Sequence, residues 1–211
     1  RDLATVVQPA FWLRPGEQSQ GHPAVNTTAL SNHLIQKHVH IGALDLPHAI
    51  RYAVTFTLPA DERHTKATFE TATGYMPPDF RTFHGLRPDD GLAPLPEVQG
   101  EQPLPVIAST ADGGHAMGAW SPERARTTRQ PATYGRFWFE HDRVAKWNCV
   151  VRERAAPADA AAAADEGSDA GRLPPGEYRY LVWVAVGTRE QVRDTLAQLR
   201  ARHVAAETRR P

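Results

Sequence analysis

Cysteine occurs once in the 211 residues, at Cys149, so no intrachain disulfide can form and zinc knuckles or Cys-x-x-Cys redox chemistry are excluded. Net charge is missing as well, since 24 lysines and arginines face 24 acidic residues. A neutral chain sets up no global field for a polyanion, and neither nucleic acid nor an anionic membrane surface is an expected partner. No apolar run reaches the roughly 18 residues a spanning helix needs, so no membrane insertion is expected. Lysine is scarce, standing only at positions 37, 66 and 146, while arginine, alanine and proline abound, a bias expected of a GC-rich bacterial genome. The chain opens at Arg1 with neither a methionine nor the apolar stretch of a signal peptide. That is the expectation for a processed exported protein, periplasmic or extracellular, or for an excised domain. Also absent are G-x-S-x-G, the P-loop and G-x-G-x-x-G at a strand-to-helix junction, which removes the serine-hydrolase, NTPase and dinucleotide readings. Cys149 itself lies between Trp147, Asn148, Val150 and Val151 in an apolar strand, where a thiol is expected to be inert.

Alternation is what the sequence has in quantity. Ile50, Tyr52, Val54, Phe56 and Leu58 alternate with Arg51, Ala53, Thr55 and Thr57, the pattern of a strand with one buried face. Pro59-Ala60-Asp61 then predicts a turn into a partner strand over 65–73, making a hairpin. Asp112-Gly113 predicts a second hairpin between 106–110 and 115–120, and a tight turn near His141-Asp142 a third, between 134–140 and 143–152. Residues 178–186 are apolar on both faces, Tyr178, Tyr180, Val182, Val184 and Val186 on one and Leu181, Trp183 and Ala185 on the other, as a central covered strand requires. Thr188-Arg189-Glu190-Gln191 reads as a capping box, and Val192, Leu196 and Leu199 give a helical stripe behind it. Two stretches break the pattern. The proline-rich 74–103 reads as a long loop walling a site or covering a sheet edge, and the alanine-rich 155–171 as a mobile surface loop. The expected fold is a single all-β domain over 1–211, a mainly antiparallel sandwich with a C-terminal α-helix.

The stretch from Asn32 to Gly42 concentrates His33, Lys37, His38 and His40 in a strand. If it is extended, Ile35, Val39 and Ile41 face one way and Gln36, His38 and His40 the other. Strict alternation sends Lys37 to the apolar side, so its ammonium is expected at the sheet margin. Two imidazoles side by side have the form of a metal site, with His33, His84, His115 or Asp45 supplying a third group. His38 and His40 are thus candidate ligands for a divalent metal, and also candidate structural or ligand-contacting histidines; no other cofactor is expected. Saccharide recognition needs flat apolar faces beside planar polar groups. Tyr75, Trp120, His38, His40, Lys146, Asn148 and Arg152 supply that set if the strand near 38 lies beside the strand near 148, with His84 and His115 as further contacts. Glu70, Glu140, Glu153 and Asp112 are eligible as paired carboxylates of a glycosidase.

Leu173-Pro174-Pro175-Gly176-Glu177-Tyr178, leading into the apolar strand, resembles the closing strand of galactose-mutarotase-like supersandwich domains of bacterial carbohydrate-active proteins, and the run from His115 to Pro122 is similar to their strands. The resemblance implies a supersandwich that binds sugar along a sheet face through histidines and a glutamate, and it assigns no numbered catalytic pair. The expected function is carbohydrate binding or processing. The alternatives are a metal-dependent or acid/base enzyme built on the histidine cluster, and a structural or interaction domain without a small ligand.

Overall fold

Alternating strands have one apolar face each, and in the computed structural model, which describes residues 1–139, 143–156 and 171–208, these faces close on one another. The strands in chain order are β1 (Asp2–Val7), β2 (Gln18–Ser19), β3 (His22–Pro23), β4 (Leu34–Ile41), β5 (Ala49–Leu58), β6 (Lys66–Met76) and β7 (Thr82–Leu86). They continue with β8 (Leu92–Pro94), β9 (Gly100–Gln102), β10 (Val106–Ser109), β11 (Ala116–Trp120), β12 (Thr133–Phe139), β13 (Val144–Arg154) and β14 (Gly176–Gly187), before the helix α1 (Arg189–Thr208). Eight strands form one sheet in the order β1-β4-β5-β14-β11-β10-β7-β8, four form a second in the order β6-β13-β12-β9, and β2 and β3 make a separate ribbon. The ladders are antiparallel, so the fold is the all-β sandwich with one C-terminal helix that the alternation predicts.

The core has two parts, and β14 supplies both. Its Tyr180, Val182 and Val184 meet Phe69, Trp147, Cys149 and Val151 of the small sheet. On its other face Trp183 and Ala185 lie with Ile107 and Trp120 under Val192, Leu196 and Leu199 of α1. Full burial of each such leucine or valine contributes about 1.5–3 kcal/mol, which fixes the helix on the sheet. The helix starts where the capping box places it: the Thr188 backbone N–H donates to Gln191 Oε1 at 2.8 Å, and the Gln191 N–H to Thr188 Oγ1 at 3.2 Å.

Two sequence expectations change. The partner of β5 is not β6, because β6 crosses to the small sheet and pairs with β13. The two apolar faces then meet across the sandwich, with the Phe56 and Phe69 rings 4.8 Å apart. The stretch 74–103 is not one long loop: it carries the end of β6 and all of β7, β8 and β9. Its prolines fall in connections or, for Pro94, at the last position of the edge strand β8, where the missing N–H costs no ladder bond. The alanine-rich segment from 157 to 170 and the turn read at 140–142 lie outside the described residues.

Strand number creates an overhang. β6 is the edge of the four-stranded sheet and packs across from β5 and β14, so β1 and β4 run past it. Leu3 and Val7 pair with Val39 and Ile35 on the uncovered inner face and stay 59% and 43% exposed.

Candidate functional site

At this overhang the sandwich interior opens to solvent in a cleft of about 390 Å³. Its floor is the inner face of β4, β5 and β6, with Ile35, Phe56, Leu58, Ala67 and Phe69. Its rim is the segment from Pro9 to Trp12 on one side and Ser31, His33, His64 and Lys66 on the other. Backbone bonds lay the rim segment against residues 29–31, Phe11 N–H to Ala29 C=O at 3.0 Å and Ser31 N–H to Pro9 C=O at 2.9 Å. They leave the Trp12 indole 93% exposed at the mouth. The volume falls in the range of about 300–1,000 Å³ that small-molecule sites occupy, and an apolar floor with few polar groups is their usual lining.

Two of the rim side chains, His33 and His64, converge on Glu62. Glu62 Oε2 lies 2.8 Å from His64 Nε2 and 3.3 Å from His33 Nε2, and the imidazole rings are 5.7 Å apart. His33 Nδ1 meets Ser31 Oγ at 2.6 Å, while the same hydroxyl accepts the His33 backbone N–H at 3.1 Å. The side chains are partly buried, at 25–33% exposure. His33 ends the approach to β4 and His64 the approach to β6, so the group sits where the two sheets part. Asn32 Nδ2 ties the two loops together by donating to Asp61 Oδ1 at 3.1 Å. Among the described residues this is the one set of three His, Cys, Asp or Glu donors close enough together to hold a metal ion.

The residues expected from sequence to form a site are spread over the molecule. His38 and His40 do share a face, but it is the outer face of the large sheet: they pair with Ala53 and Arg51, which pair with Leu181 and Trp183 on the helix side. His40 Nδ1 is taken by Asp2 Oδ1 at 2.7 Å, which holds the Asp2 carboxyl below its ordinary value, and among the described residues no third donor completes a metal site there. Tyr75, Lys146, Asn148 and Arg152 lie together on the outer face of the small sheet, on the opposite side of the sandwich. There they satisfy one another and their neighbours. Glu70 accepts from Lys146 and Asn148 at 2.8 Å each, Arg152 grips Glu101 with two 2.8 Å bonds, and Lys146 sits over Tyr75 at 5.4 Å. The expected meeting of the strand near 38 with the strand near 148 does not occur, because β4 and β13 belong to different sheets. Trp120 is 8% exposed under α1, edge-on to His203, and offers no platform. His84 and His115 lie near the start of α1, away from the cleft.

A second polar cluster is structural. Arg129 bonds Glu153 at 2.5 Å and also Glu123, whose other oxygen accepts the Leu181 N–H at 3.2 Å; Tyr180 donates to Glu153 at 3.1 Å. Burial works against the Arg129 charge, yet the two carboxylates hold its pKa above the ordinary value. Glu153, an eligible catalytic acid by position, is thereby fully engaged.

Sequence reasoning reached His33 only as an accessory group and missed Trp12, Glu62 and His64. The available signals were Phe11-Trp12 in an irregular segment, where no strand needs the rings, and Glu62-x-His64 directly after a turn. No protein-family model matches the chain, and the search of curated proteins finds no match.

Proposed function

We propose that the protein binds a saccharide in the cleft at the sheet overhang. The observation that carries this reading is Trp12, an almost wholly exposed indole at the mouth of an apolar-floored cleft whose rim bears His33, His64 and Lys66. A large exposed apolar ring costs hydration free energy unless something covers it, and the C–H face of a sugar ring is a fitting cover. The imidazoles, the Ser31 hydroxyl and the Lys66 ammonium supply the donors and acceptors that hydroxyl groups need.

The test is a glycan array followed by calorimetric titration of the best sugar. Trp12→Ala is expected to weaken binding at least about tenfold, equivalent to about 1.4 kcal/mol, with the melting temperature unchanged because the ring is exposed. His38→Ala combined with His40→Ala is expected to leave binding as it is, since those side chains face the other side of the large sheet. A native protein that binds nothing on the array, or a Trp12→Ala variant that binds like the native protein, overturns the reading.

A further inference from the structure

We propose that His33, Glu62 and His64 form a site for a divalent transition metal of the zinc class. Zinc bound at about 2.0–2.1 Å by nitrogen and carboxylate oxygen in a tetrahedron has ligand–ligand edges of roughly 3.3 Å. The three donor atoms all lie within 4.8 Å of one another, one pair already at 3.3 Å and another at 2.8 Å. Two imidazoles and one carboxylate favour zinc, cobalt or nickel over magnesium and calcium, which take oxygen donors.

The surroundings prepare the site. With Nδ1 of His33 facing Ser31 Oγ at 2.6 Å, Nε2 is the nitrogen left to ligate, and a partner on the far ring nitrogen is the usual support of a ligating histidine. The loops that carry the donors are held independently of any ion. Asn32 bridges to Asp61, and the backbone C=O of His64 accepts the Leu173 N–H at 2.7 Å. In the metal-free state Glu62 Oε2 is the common partner of both imidazoles, so the carboxylate that keeps the histidines together is the third ligand itself. Three protein ligands leave a fourth position open, and because His33 and His64 both line the cleft, that position belongs to water or to an oxygen of whatever the cleft holds. An ion here also joins the start of β4 to the start of β6, and so fastens the two sheets at their open end.

This site stands on its donors and does not depend on the saccharide reading, so the two are assayed apart: sugar binding with chelator present, metal binding with no sugar. Protein made without a histidine tag and stripped with EDTA is titrated with zinc chloride by calorimetry, with Co²⁺ as a spectroscopic probe. One equivalent is expected, with the visible absorption of four-coordinate cobalt. At a free zinc concentration one hundred times the Kd, a rise of roughly 5–10 °C in melting temperature is expected. His33→Ala with His64→Ala removes binding, Glu62→Gln weakens it at least about tenfold, and Ser31→Ala weakens it by about 10–100-fold through its partner histidine. His38→Ala with His40→Ala retains it in full. Should the first double variant fail to fold, Glu62→Gln and Ser31→Ala, checked by circular dichroism, decide the matter. Absence of saturable binding at one equivalent overturns the proposal. So does native affinity in His33→Ala/His64→Ala or in both single variants, and so does loss of binding in His38→Ala/His40→Ala.

Discussion

Replacing Arg129 by methionine isolates the cost of a buried ion cluster that joins the two sheets. Its side chain is 12% exposed, Glu153 is 4% and Glu123 14%, so solvent screens the group little. Glu153 belongs to β13 of the small sheet, and Tyr180, which donates to it and lies 4.9 Å beneath the guanidinium, to β14 of the large one. Methionine matches the stem of arginine but leaves two carboxylates without their counter-charge. Removing one partner of a buried pair typically costs 3–5 kcal/mol. Because Glu123 keeps the Leu181 N–H and Glu153 keeps Tyr180, the low end applies, about 3 kcal/mol. For a chain of this length that lowers the melting temperature by roughly 6–12 °C. Urea denaturation at neutral pH reads the loss directly. The charges, not the volume, are responsible. Arg129→Met combined with Glu123→Gln and Glu153→Gln, which keeps acceptors for Leu181 and Tyr180, recovers more than half of the loss. A single variant that loses less than about 1 kcal/mol, or a triple variant no better than the single, refutes the argument.

His84 gives a pH dependence whose sign is fixed by its surroundings. Burial and then the nearby Arg189 charge hold its pKa below the ordinary 6.5, and its Nδ1 is buried without a partner. A depressed folded value means that the unfolded chain takes up the proton first. Its contribution is whole above about pH 6.5 and is lost as pH falls through the folded value; urea midpoints of His84→Phe should therefore fall less from pH 7.5 to 5 than those of the native protein. Gly74→Ala tests packing between the sheets: a Cβ there would collide with the buried Trp147 indole, and overpacking of about 1–3 kcal/mol is expected in the same assay. Cys149 is fully buried, which pushes its thiol up to about 12, so a thiol reagent should label it only at the rate of global unfolding. Labelling of the native protein within the mixing time would contradict its placement between the sheets.

Period two was enough to read the faces of β5, β13 and β14 in the sequence, because each contributes four or more alternating side chains to a core that rejects the opposite register. The capping box and the Asp112-Gly113 turn were legible for a related reason, since both are local backbone bonds that the residues themselves make. Sheet membership was not local. Whether β6 hairpins back onto β5 or crosses over depends on what Phe69 finds to pack against, and in this fold it finds Phe56, Tyr178 and Tyr180 on the facing sheet. Proline counts misled over 74–103, because a three-residue edge strand such as β8 tolerates a proline that a central strand would not.

The candidate site was hidden by the same non-local choice. His38 and His40 have the more conspicuous pattern, two imidazoles on one strand face, but a strand face is a site only if something walls it, and theirs is open sheet beside a helix. His33 and His64 are 31 positions apart, each just before a strand, and nothing in either neighbourhood points to the other. They meet because the chain crosses between sheets after β5, and because eight strands over four leave an end uncovered where β4 begins. Mismatch in sheet width sets the cleft, crossover sets the donors, and the irregular segment around Phe11 and Trp12 supplies the rim. A sequence without disulfides or fixed linkers has no local device that announces such a meeting. In a sandwich of unequal sheets, the residues just before the strands that overhang and the strands that cross are therefore where a site is to be sought, ahead of the polar faces of the strands themselves.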